Sequence, residues 1–106
     1  MEIYKIIFLQ DALYDLEEIV LYIASDSSER ALKWHNILMS KINNLLTFPE
    51  IGRIVPGKSI RKFDFRMLPI ENYIIFYKIF EHQKEITILR VLNAKRDYPN
   101  LFKEFE

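Results

Sequence analysis

The period of the apolar positions changes along the chain, and each change marks an element. Residues 3–8 form a short β-rich run that predicts an opening strand. Leu13, Leu16, Ile19, Val20 and Ile23 then recur at helical spacing, predicting a first helix over about residues 11–25 with Asp11 as its N-cap. The Ser25-Asp26-Ser27-Ser28 cluster breaks that helix and offers a fresh cap. After it, Ala31, Leu32, Trp34, Leu38, Ile42, Leu45 and Leu46 trace a second apolar stripe. This second helix should stop before Phe48-Pro49, because proline disfavours helical geometry in the residue preceding it.

Residues 49–59 contain both glycines, Gly52 and Gly57, and two of the four prolines, Pro49 and Pro56, so they read as a loop. Three strand candidates follow, at residues 60–68, 73–80 and 85–92, separated by turns short enough for an antiparallel meander. Alternation in the first puts Arg61, Phe63, Phe65 and Met67 on one face and Lys62, Asp64 and Arg66 on the other. The second is apolar at nearly every position, as in a central strand covered on both faces. The predicted fold class is α+β, ordered β-α-α-β-β-β, with an antiparallel sheet packed against an N-terminal helical hairpin. A chain of 106 residues accommodates one such domain, and neither repeats nor a linker divide it.

Composition narrows the function classes. Half the residues are hydrophobic and 14% are aromatic, enough for a packed core without staples. Cysteine is absent, which removes disulfides, thiolate nucleophiles and cysteine-ligated zinc. His35 and His82 are too few and too far apart in sequence for a metal site, so no cofactor is expected. The first residues lack the basic and apolar regions of a signal peptide, and no apolar run is long enough to span a bilayer. A cytoplasmic protein without membrane partners is therefore expected.

The formal net charge is zero, but the charge is unevenly placed. Residues 1–29 carry seven acids against Lys5, whereas residues 52–66 carry Arg53, Lys58, Arg61, Lys62 and Arg66 against Asp64 alone. Local asymmetry of this kind bears on partners more than the total does. Arg53, Lys58, Arg61, Lys62 and Lys95 are candidates for binding a nucleic acid or a macromolecular target. Arg61 and Lys62 could equally be a solvated edge that discourages strand pairing between molecules. Arg90 lies inside an apolar strand, where a salt bridge to a carboxylate such as Asp64 or Asp97 is the leading reading. Tyr73, Tyr77 and Trp34 read as core aromatics, and the apolar Leu101-Phe102-x-x-Phe105 tail has no obvious place in a minimal sheet.

Taken in order, the Tyr4-Lys-Ile-Ile-Phe strand, Ala12-x-x-Asp15-Leu16-x-x-Ile19-x-x-Tyr22-Ile23-Ala24, Leu45-x-x-Phe48-Pro49-x-x-Gly52-Arg53, Arg66 with Asn72-Tyr73-Ile-Ile-Phe-Tyr77, Ile88-Leu-Arg90-Val-Leu and Arg96-Asp97-Tyr98 resemble the RelE/ParE superfamily of toxins from type II toxin–antitoxin systems. The resemblance covers nearly the whole chain. It implies a growth-inhibiting toxin neutralised by a cognate antitoxin whose flexible segment wraps the toxin, and either a homodimer or a toxin–antitoxin hetero-oligomer is expected. Two activities exist in the superfamily: RelE-like members cleave messenger RNA in the ribosomal A site without a metal, and ParE-like members poison DNA gyrase.

For the RelE-like activity, the resemblance implies catalytic roles for Arg66, Arg90, Arg96 and Tyr98. Such cleavage needs a group to activate the ribose 2′-hydroxyl and cations to stabilise the pentavalent phosphate. The chain departs from that pattern. Ile74 stands where RelE-like members carry an arginine, and Phe102 where they carry a tyrosine. A neutral protein also gains less from ribosomal phosphates than a basic one. The ParE-like reading therefore leads, with a ribosome-dependent endoribonuclease and a non-toxic antitoxin-binding module as alternatives.

Overall fold

A computed structural model of the chain describes residues 3–56 and 64–96. A short strand, β1 (Lys5–Phe8), leads into α1 (Gln10–Asp26) and α2 (Ser28–Asn44). Four further strands follow: β2 (Arg53–Ile54), β3 (Arg66–Ile70), β4 (Tyr73–Phe80) and β5 (Glu85–Asn93). The α+β class and the helical hairpin are as the sequence predicts. The strands form one five-stranded sheet in the order β1-β5-β4-β3-β2.

The sheet is not wholly antiparallel. β2 through β5 make antiparallel pairs, but β1 lies parallel to β5, with Lys5 opposite Glu85 and Phe8 opposite Ile88. The helical hairpin carries the chain from β1 at one edge of the sheet to β2 at the other, and the meander from β2 to β5 brings it back alongside β1. The expected loop over residues 49–59 also holds β2, a two-residue strand that pairs Arg53 with Met67 and Ile54 with Arg66. β3 begins at Arg66, two residues after Asp64, which has φ of 56°. Pro69 sits in the part of β3 that β2 does not reach, where a missing N–H leaves no ladder bond unmade.

Each helix is set by its inward face. α1 starts at Gln10 after Leu9, which makes no side-chain cap; Asp11 lies inside the first turn, where its charge favours the helix dipole. α2 is capped by Ser27, whose hydroxyl accepts from Arg30 N at 3.2 Å. On α1 the buried residues are Ala12, Asp15 and Ile19, while Leu13 is exposed. On α2 they are Ala31, Trp34, Leu38 and Ile42, while Leu32 is exposed. The apolar stripes locate both helices, but the inward face of α1 is rotated toward its small and acidic positions.

The sheet is covered on both sides. Against the helices lie Leu68, Ile70, Ile75, Tyr77, Ile86, Ile88 and Val91, with Trp34 meeting Tyr73 edge-on at 5.3 Å between ring centroids. On the reverse face, Val55 and Phe65 pack with Met67, Ile74, Phe76, Leu89 and Leu92. A register shift at Phe76/Tyr77 makes Phe76 the partner of Arg90 and Tyr77 the partner of Ile88. This bulge changes the parity of β5, so that Ile86, Ile88 and Val91 all reach the helical side.

Candidate functional site

Two polar nodes connect the elements, each built around an arginine on the sheet. The first joins α1 to β5. Arg90 donates to both carboxylate oxygens of Asp15, through Nε at 2.7 Å and through Nη2 at 3.0 Å. The same carboxylate accepts the Val91 backbone N–H at 3.0 Å. Asp15 is 8% exposed, so its charge is held by this fork and amide rather than by water. The salt bridge expected for Arg90 is present, and the carboxylate the structure shows in it is Asp15, far away in sequence; Asp97, one of the two partners expected, lies outside the described residues. This guanidinium is committed to the framework.

The second node fixes the segment after α2. Ile51 N donates to Phe48 O at 3.1 Å, closing a four-residue turn with Pro49 at its second position, where the fixed φ of proline fits. The Tyr77 hydroxyl donates to Pro49 O at 2.7 Å and accepts from Gly52 N at 2.8 Å. Arg66 Nη1 reaches Gly52 O at 2.7 Å and Glu50 O at 3.3 Å. Gly52 is required here because a Cβ would stand 2.6 Å from the Tyr77 hydroxyl and 2.8 Å from Met67 O. The backbone from Phe48 to Gly52 is thus held from beneath.

Burial raises the pKa of Tyr77, and Glu50 raises it further, while the Gly52 N–H and the Arg66 charge oppose the shift. The phenol stays protonated at neutral pH and serves as a hydrogen-bonding staple. Burial also raises Tyr73, with Tyr22 adding to the effect.

The outer surface of the turn differs in character. Phe48 is 62% exposed and Ile51 is 57% exposed, although each belongs to a residue type that favours interiors. A shallow cavity of about 630 Å³ opens against residues 47–51. Arg53 continues from the turn into β2 with an exposed side chain.

The basic candidates do not merge into one cluster. Arg66 and Arg90 flank β4 at the neighbouring residues Tyr77 and Phe76, but each is engaged as described. Lys95 and Arg96 are exposed in a turn beyond β5, where their amides bond back to Asn93 at 2.9 and 3.0 Å. Lys58, Arg61, Lys62 and Tyr98 lie outside the described residues, as does the 101–105 tail. Among the described residues no group of three or more His, Asp or Glu stands ready to hold a metal, and no helix is long and apolar enough to cross a membrane.

Sequence reasoning missed Asp15 as the partner of Arg90, and it missed the Tyr77 hydroxyl. The Phe48-Pro49-x-x-Gly52-Arg53 spacing, a proline turn followed by a glycine, was the available signal for the second node.

Comparison of whole folds places this arrangement among known toxins. A chain of the chromosomal ParDE toxin–antitoxin system from P. aeruginosa superposes with a TM-score of 0.67 at 22% identity, covering 87% of this chain and 97% of that one. A chain of the RelBE2 toxin–antitoxin complex from Mycobacterium tuberculosis gives 0.58 at 19% identity, covering 87% and 99%. The isolated RelE toxin of E. coli gives 0.58 at 16% identity, covering 97% and 99%. Comparison with curated proteins returned no match. Residues 6–98 match the family described as the ParE toxin of the type II toxin–antitoxin system parDE. The chain, with its helical hairpin crossed over a mixed sheet, belongs to the family of ParE toxins of the type II toxin–antitoxin system parDE.

Proposed function

We propose that this ParE-family toxin inhibits growth by trapping DNA gyrase on DNA rather than by cutting messenger RNA. The observation that carries the reading is the engagement of two arginines that the nuclease reading needs. Arg90 is neutralised by the Asp15 carboxylate, and Arg66 is turned onto the carbonyls of Glu50 and Gly52. A cation stabilises a pentavalent phosphate only if its donors point at the place where charge develops. Here Nε and Nη2 of Arg90 and Nη1 of Arg66 are directed at acceptors within the protein. A protein that works by binding needs a presented surface, and the exposed turn at Phe48 and Ile51 supplies one.

A cognate antitoxin is the second partner in this reading. Exposed Tyr14, Leu21 and Tyr22 on α1, interrupted by Glu17 and Glu18, give an apolar and acidic helix surface for a wrapping segment. Purified protein is expected to block gyrase supercoiling or accumulate gyrase–DNA cleavage complexes, and added antitoxin is expected to reverse the effect. Codon-positioned cuts in messenger RNA after induction, abolished by Arg96→Ala, would overturn the reading in favour of ribosomal cleavage. Expression without antitoxin and without growth arrest would leave only antitoxin binding.

A further inference from the structure

We infer that the turn from Phe48 to Ile51 is a preorganised docking knob for a protein target, with Phe48 and Ile51 as the anchors that enter an apolar pocket. The inference rests on the binding mode proposed above and names the surface that would perform it.

Three observations point to it. The first is the cost of the exposure: two large apolar side chains stand in solvent at the ends of one turn, contributing little to the core. The second is rigidity, since the Tyr77 hydroxyl and the Arg66 guanidinium bind Pro49 O, Glu50 O and Gly52 O from below. A side chain presented on a fixed backbone loses less entropy on binding than one on a mobile loop, which is how a small surface becomes an anchor.

The third observation is charge, which selects the class of partner. Glu50 is exposed between the two anchors and would face the phosphates of a nucleic acid, so a polyanion is disfavoured at the tip. Arg53, exposed just beyond the turn, fits an acidic residue at the lip of a protein pocket. Ile51 has no flat face with which to stack on a base, whereas an aliphatic and an aromatic side chain together match an apolar protein cleft.

The test uses the full chain, produced with its antitoxin and then released. Phe48→Ala and Ile51→Ala are expected to weaken target binding by about tenfold each, and the double variant is expected to lose growth arrest. Both should melt with the wild type and bind antitoxin as the wild type does. Arg53→Glu is expected to slow association, and Arg53→Lys to leave it near the wild-type rate. Growth arrest retained in the folded double variant would overturn the inference. Parallel loss of antitoxin binding would also overturn it, because the turn would then belong to the antitoxin's footprint. The wild type in a supercoiling assay reads the gyrase assignment separately: if growth stops with gyrase untouched, that assignment falls and the knob is judged on growth arrest alone.

Discussion

The Asp15–Arg90 node and the Phe48–Gly52 turn use the same kind of residue to opposite ends. At the first, an arginine and a carboxylate close on each other between α1 and β5, and the result is inward: one fork, one amide, no free charge presented. At the second, Arg66 and Tyr77 hold backbone atoms, and the side chains carried on that backbone face solvent. The contrast teaches that the arginines most conspicuous in the sequence act as framework here. Phe48 and Ile51 stand exposed on the turn that Arg66 supports, with the exposed Arg53 beside them.

The first node should break most severely. Asp15→Ala removes the carboxylate that receives the Arg90 fork and leaves the Val91 amide without its acceptor. Removing one partner of such a pair costs about 3–5 kcal/mol. The urea midpoint should fall accordingly, and Asp15→Asn should also destabilise because a neutral amide cannot balance the guanidinium. A loss within experimental error would remove the node from the framework.

The second node should give smaller losses that are coupled. Tyr77→Phe orphans Pro49 O and Gly52 N together and should cost about 2 kcal/mol. Gly52→Ala pushes a methyl against the Tyr77 hydroxyl and Met67 O, an overpacking that costs about 1–3 kcal/mol. Because the hydroxyl is one of the obstructing atoms, Gly52→Ala made in the Tyr77→Phe background should cost less than in the wild type. Strict additivity in denaturant melts would mean that the two residues do not meet as described.

Alkaline pH probes the same hydroxyl. Tyr77 has a folded-state pKa above its ordinary value of 10.0, so the native state holds that proton more tightly than the unfolded chain does. Its contribution to stability is complete below pH 10.0 and is lost as pH rises through the folded value. Tyr73 is raised in the same direction, so Tyr77→Phe should make the alkaline decline shallower without abolishing it. Thermal melts on either side of that pH would measure the difference, and an unchanged slope would refute the assignment.

These nodes also show how far the sequence was legible. The helical stripes, the Ser27 cap and the antiparallel pairs from β3 to β5 follow from local periodicity and short turns. β1 could be read as a strand, but its parallel partner could not, because that choice is made between segments about eighty residues apart in sequence. The inward rotation of α1 escaped because an acid on an amphipathic helix normally marks the wet side. Here Ala12 permits close approach, and Arg90 turns Asp15 inward. The Arg53–Ile54 strand is too short to carry a period. The turn was legible as a loop from Phe48-Pro49 and Gly52, but the Tyr77 hydroxyl beneath it was not, since nothing local to residue 77 signals a partner near residue 50.

The smallest effect sharpens the comparison from the other side. Asp26 accepts from Arg30 at 3.1 Å across the α1–α2 junction, an arginine–carboxylate pair with the same chemistry as the first node. Its side chains are 77% and 68% exposed, against 10% and 28% for Asp15 and Arg90. Water screens the exposed pair, and two long side chains lose freedom in forming it, so Asp26→Ala should cost about 0.5 kcal/mol or less. That small loss should shrink further in high salt, whereas the Asp15→Ala loss should change little, because salt screens exposed charges far more than buried ones. Paired urea titrations at low and high ionic strength would measure both. Equal salt sensitivity for the two variants would mean that burial is not what separates the framework arginine from its surface counterpart.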